Sequence, residues 1–98
     1  MEVIKTQNGS DLLVEVKGRL DTTTAPQLEG ELTAALNGIT SLVLDFKSLE
    51  YVSSAGLRVI LGAQKTMNKQ GKMVIRNVCE DINEVFEITG FSDILTIE

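Results

Sequence analysis

Two adjacent hydroxyls, Ser53 and Ser54, stand where an apolar run gives way to a helical pattern in LVLDFKSLEYVSSAGLRVILGAQKTMNKQG. Ser54 directly precedes Ala55-Gly56-Leu57, so its side chain is expected to cap the following helix. A helix N-terminus accepts added negative charge, because unpaired amides and the macrodipole converge there. In an acidic chain with no histidine, a hydroxyl so placed reads as an acceptor of a phosphate and not as a catalytic nucleophile. Without histidine there is neither a Ser-His-Asp nor a Cys-His arrangement, and no histidine metal site. Val52-Ser53-Ser54-Ala55-Gly56 lacks the first glycine of a G-x-S-x-G elbow, and neither a phosphate-binding G-x-x-x-x-G-K-[ST] loop nor G-x-G-x-x-G occurs. The carboxylates are spread as Glu29 and Glu31, Glu80 and Asp81, Glu84 and Glu87, the pattern of solvated helix faces. No enzyme, no metal site and no cofactor is expected.

Four other residues invite a role. Asp21 opens the polar loop Thr22-Thr23-Thr24 and reads as a turn residue, a helix-start acceptor or part of a contact surface. Asp45, inside an apolar strand, is expected to reach a loop amide or solvent. Arg58 falls in the first turn of a helix, where a cation is mildly unfavourable; it is a surface residue or serves a partner or a phosphate. Gly56 lowers helix propensity and offers bare backbone that another protein or an anion could approach.

The elements that must position these groups follow from periodicity. Residues 3–7 and 11–18 read as a hairpin around Asn8-Gly9. A helix is predicted over about Ala25 to Asn37, with Thr24 and Gln27 at capping-box spacing, Pro26 in the first turn and Asn37-Gly38 as its stop. Ser41 to Phe46 is a strand whose near-continuous apolar run suggests burial on both faces. A helix over about Ser54 to Gln70 and a strand over Lys72 to Arg76 complete a parallel crossover. A shorter helix, about Glu80 to Thr89, turns Ile82, Val85 and Phe86 inward, and Ile94 to Ile97 is a last strand. The order ββαβαβαβ describes an α/β domain with a mixed sheet and about three helices, one domain over residues 1–98.

Composition narrows the function classes. The 98 residues carry a net charge of −5, with lysines and arginines scattered, so neither nucleic acid nor an anionic membrane is an expected partner. No apolar run approaches the ~18 residues of a membrane span, and the N-terminus lacks a signal-peptide pattern. The single Cys79 is expected to be a small packed residue in a reducing cytoplasm.

The run Asp45-Phe46-Lys47-Ser48-Leu49-Glu50-Tyr51-Val52-Ser53-Ser54-Ala55-Gly56-Leu57-Arg58-Val59-Ile60-Leu61 closely resembles the signature of bacterial anti-sigma factor antagonists, the STAS domains. Gly18-Arg19-Leu20-Asp21 followed by Thr24-Ala25 resembles that family's earlier G-x-L-D-x-x-x-A element. The resemblance implies a regulatory binding module. In that family a serine kinase with a histidine-kinase-like ATPase fold, often itself the anti-sigma factor, phosphorylates a serine at this junction. The unmodified antagonist binds it and frees sigma, and a PP2C-type phosphatase restores the modified form. Carried across, the acceptor falls on Ser54, with Ser53 as the alternative because family members often have aspartate there. The contact surface falls on Asp21, Thr22, Thr23, Thr24, Ser53, Ser54, Gly56, Leu57 and Arg58. A second reading is a STAS adaptor that is never phosphorylated and docks to a receptor or assembly, or senses a nucleotide or other anion near Asp21 and Ser54. Many relatives continue into a further helix, so either another element covers the edge near Glu98 or apolar surface stays exposed there.

Overall fold

The computed structural model describes residues 1–98. Strands β1 (Glu2–Asn8) and β2 (Asp11–Leu20) form the hairpin, followed by α1 (Ala25–Ala35), β3 (Ser41–Asp45), β4 (Leu49–Val52), α2 (Ser54–Gln70), β5 (Lys72–Arg76), α3 (Glu80–Ile88) and a 3-10 turn over Phe91–Asp93. The fold is α/β with a mixed sheet in the order β1-β2-β3-β5. The β1–β2 pair is antiparallel and β2–β3 and β3–β5 are parallel. The hairpin loop is Gly9-Ser10, one residue later than expected. Asn8 pairs with Asp11, and Gly9 takes φ +64 at the loop's first position, where glycine meets no steric penalty.

Alternation along the strands decides which face meets the helices. Leu12, Val14 and Val16 on β2, Leu42 and Leu44 on β3, and Met73 and Ile75 on β5 are buried. They join Leu28 and Leu32 of α1, Ile60 and Met67 of α2 and Ile82 and Phe86 of α3 in one core of 24 residues. The alternate positions, Leu13, Val43 and Val74, are only half-buried. The expectation that β3 is buried on both faces is therefore corrected: the helices cover one face, and the other stays open.

Two further differences lie at short strands. Leu49–Val52 forms β4 and pairs in parallel with the far end of β2. Ile94 to Ile97 supplies only one bridge, Ile97 to Ile75, and Ile88 and Ile94 remain exposed. Cys79 is exposed rather than packed, being an extended residue just ahead of α3. No helix is long and apolar enough to cross a membrane.

Candidate functional site

The start of α2 is built by Ser53. Its backbone is extended (φ −96, ψ 174), its Oγ accepts the Gly56 N–H at 3.3 Å, and its carbonyl accepts the Leu57 N–H at 2.9 Å. Ser53 is thus the cap, where Ser54 was expected. The shift of one residue follows from β4: the strand ends at Val52, and the Ser53 N–H donates to the Leu20 carbonyl at 2.9 Å, holding Ser53 extended. Ser54 becomes the first residue of the helix. It is exposed, and its hydroxyl takes part in no hydrogen bond within the chain.

Gly56 has a different role from the one its sequence suggested. It is buried, and a Cβ there would lie 2.7 Å from Leu20 Cγ and 3.0 Å from the Leu20 carbonyl oxygen. Its bare face turns inward, letting the first turn of α2 press onto the end of β2. Leu57 is likewise in the core. These two residues position the site and do not present surface at it.

The start of α1 is built by Asp21. Its Oδ1 accepts the N–H groups of Thr23 and Thr24 at 3.0 and 3.1 Å, and its carbonyl accepts the Ala25 N–H at 2.8 Å. Thr24 Oγ1 accepts the Asp21 N–H at 2.8 Å and donates to the Arg19 carbonyl at 2.8 Å. This is a reciprocal capping box formed by Asp21 and Thr24, three residues ahead of the expected Thr24–Gln27 pair. Thr24 Oγ1 accepts no N–H from the first turn of Ala25–Ala35; Gln27 Nε2 reaches Glu31 instead, at 3.4 Å. The Thr24 N–H, acting against desolvation, holds the Asp21 carboxyl below the usual carboxylate range, with help from the Thr23 N–H, the Thr24 hydroxyl and the Arg19 guanidinium.

Two residues of this surface were missed in the sequence. Arg19 lies over the Tyr51 ring, 4.3 Å from its centroid, with its Nε 3.9 Å from Asp21 Oδ2. Gly18 pairs with Leu49 and Arg19 with Tyr51, so Glu50 is the extra residue of a bulge. Gly18 takes φ +93 there, and the bulge brings Arg19 and Tyr51 into register. Only the recognition of β4 would have exposed the pairing.

A shallow hollow of about 200 Å³ separates the two helix starts, with Thr22, Pro26 and Glu29 on one side and Ala55, Arg58 and Val59 on the other. Arg58 is exposed. Ser54, Arg58, Thr22, Thr23 and half-buried Asp21 therefore face solvent, while Ser53 and Thr24 are occupied in capping. Asp45 belongs elsewhere. Its Oδ1 accepts the Lys47 N–H at 2.9 Å and Asn77 Nδ2 at 3.0 Å. Desolvation raises its pKa, but these bonds with the charges of Lys47 and Arg76 outweigh it and leave it below the usual range.

The family model of the STAS domain matches residues 2–98. The chain belongs to the STAS domain family. Its curated relatives include the putative anti-sigma factor antagonist BtrV of Bordetella bronchiseptica, 40% identical over 88 residues, covering 88% of this chain and 76% of BtrV. The anti-sigma-B factor antagonist of Bacillus subtilis is 34% identical over 92 residues, covering 93% of this chain and 84% of that protein. Among solved structures, the Bacillus anti-sigma factor antagonist SpoIIAA shares the fold in its unphosphorylated form (TM-score 0.78, 17% identity, 99% of this chain and 87% of that one). Its phosphorylated form matches at TM-score 0.77 and 17% identity, over 99% of this chain and 91% of that one. In this STAS domain the family signature runs from β3 through β4 into α2, and the earlier element is the Asp21 capping box.

Proposed function

We propose that this STAS domain acts as an anti-sigma factor antagonist. Unmodified, it binds a serine kinase that doubles as the anti-sigma factor and carries a histidine-kinase-like ATPase fold, so that sigma is released for transcription. Phosphorylation of Ser54 ends that binding, and a PP2C-type phosphatase reverses it. The chain itself is a regulatory binding partner and not a catalyst, acting in the cytoplasm. The observation that carries the reading is the division of labour between the two serines: Ser53 holds the helix, and the Ser54 hydroxyl is exposed and uncommitted. Two close relatives named as antagonists, and a fold shared with SpoIIAA in both phosphorylation states, point the same way.

The physics of the switch is local. A phosphate brings roughly −1.5 to −2 charge and three acceptor oxygens. At the start of α2 the macrodipole and free amides favour it, so the fold persists. The surface changes more: a dianion at Ser54 repels an acidic partner group and must be desolvated on docking. A loss of about 3 kcal/mol would weaken binding more than a hundredfold. The test is binding of the cognate kinase to Ser54→Asp. We expect an unchanged circular dichroism spectrum with a large loss of affinity; equal affinity in a folded variant contradicts the switch.

A further inference from the structure

The face of the sheet turned away from the helices carries an ordered charge pattern that the switch leaves unused. The strand registers align three rows across β2, β3 and β5: Asp11–Ser41–Lys72, Leu13–Val43–Val74 and Glu15–Asp45–Arg76. On this face β2 reads acidic, apolar, acidic, and β5 reads basic, apolar, basic. Their neighbours in sequence, Leu12, Val14, Met73 and Ile75, are buried under the helices, so the pleat turns the rows to the open side.

We propose that this open face is a self-association surface whose occupant is a second copy of the chain, related by a two-fold axis running along β3. Rotation about that axis lays β2 of one copy over β5 of the other without shifting the rows. Asp11 then meets Lys72 of the second copy, Leu13 meets Val74, Glu15 meets Arg76, and Val43 meets its own equivalent at the centre. A two-fold axis across the strands would instead set Asp11 over Glu15 and Lys72 over Arg76, so charge selects the first arrangement. Arg76 keeps its own Glu98 on Nε at 2.8 Å, which leaves the Nη groups for Glu15 of the second copy. Ser41 and Asp45, also on β3, likewise meet their own equivalents, so the two Asp45 carboxylates face each other across the axis. Each is compensated by hydrogen bonds from Lys47 and Asn77 and by Arg76 in the same row. Three strands about 4.8 Å wide and five residues at about 3.3 Å span roughly 17 by 14 Å. That is well below the ~800 Å² per partner of a stable interface, so the dimer is weak and concentration-dependent. It is independent of Ser54, which stands at the helix-covered side.

Sedimentation velocity of the intact chain over a concentration series up to millimolar, at low and high salt, tests the proposal. We expect reversible dimerisation whose dissociation constant rises at least about tenfold with salt. Two variants sharpen it: Asp11→Lys with Glu15→Lys, which makes the face wholly basic at its edges, and Lys72→Glu with Arg76→Glu, which makes it acidic. Each should be folded and monomeric alone, and an equimolar mixture should form a heterodimer. A wild-type chain that stays monomeric throughout the series overturns the proposal. So does a folded mixture that fails to associate, or either variant dimerising as the wild type does.

Discussion

The two helix starts at the candidate site solve the same problem with opposite outcomes for chemistry. At α1, Asp21 and Thr24 cap each other reciprocally and the carboxylate is consumed by two backbone amides. At α2, a single Ser53 makes the cap and the next hydroxyl, Ser54, is left over. The first start fixes a negative charge in place. The second presents a group that can gain one. A pair of adjacent serines therefore separates structure from modification: altering Ser54 need not loosen the helix, because its neighbour does the capping.

Four substitutions probe that contrast, in falling order of effect on stability. Gly56→Ala forces a Cβ against Leu20 Cγ and the Leu20 carbonyl and should lower stability by about 1–3 kcal/mol, the range for overpacking; denaturant unfolding reads it. Ser53→Ala removes the α2 cap and should cost about 1 kcal/mol, seen as a lower denaturation midpoint at constant slope. Asp21→Asn should show itself chiefly in pH dependence. The folded carboxyl titrates below its ordinary 3.8, so its contribution is full above that value and is lost as pH falls through the folded pKa. The variant should therefore be less stable at neutral pH and have a flatter acid limb, measured by thermal melts across pH. Ser54→Ala should change stability by no more than about 0.5 kcal/mol, as for an uncommitted surface position. A larger loss would mean that Ser54 shares the capping.

Much of this was legible because long periodic segments report themselves. The 3.6-residue pattern from Leu57 to Met67 marked α2 as a helix, and the alternation from Leu12 to Val16 marked β2 as a strand. What escaped were features set by contacts distant in sequence. In β4, Leu49 and Val52 are buried and Glu50 and Tyr51 exposed, a pattern that does not alternate as a strand should, since the bulge opposite Gly18 breaks the period. Missing β4 displaced the α2 cap from Ser53 to Ser54 and hid the Arg19–Tyr51 contact. Gly56 looked like an open approach because Leu20, which fills it, lies on another strand. The α1 capping box was misplaced because Thr24 suits either end of such a box, and only the Asp21 hydrogen bonds decide which.

The central claim is that the spare hydroxyl, and not the capping one, receives the phosphate. Incubation of wild type, Ser53→Ala and Ser54→Ala with the cognate kinase and ATP, followed by mass-spectrometric location of the modified residue, tests it most directly. A single phosphate on Ser54 in the first two proteins and none in the third is the predicted result. A phosphate on Ser53, or on neither serine, would contradict it.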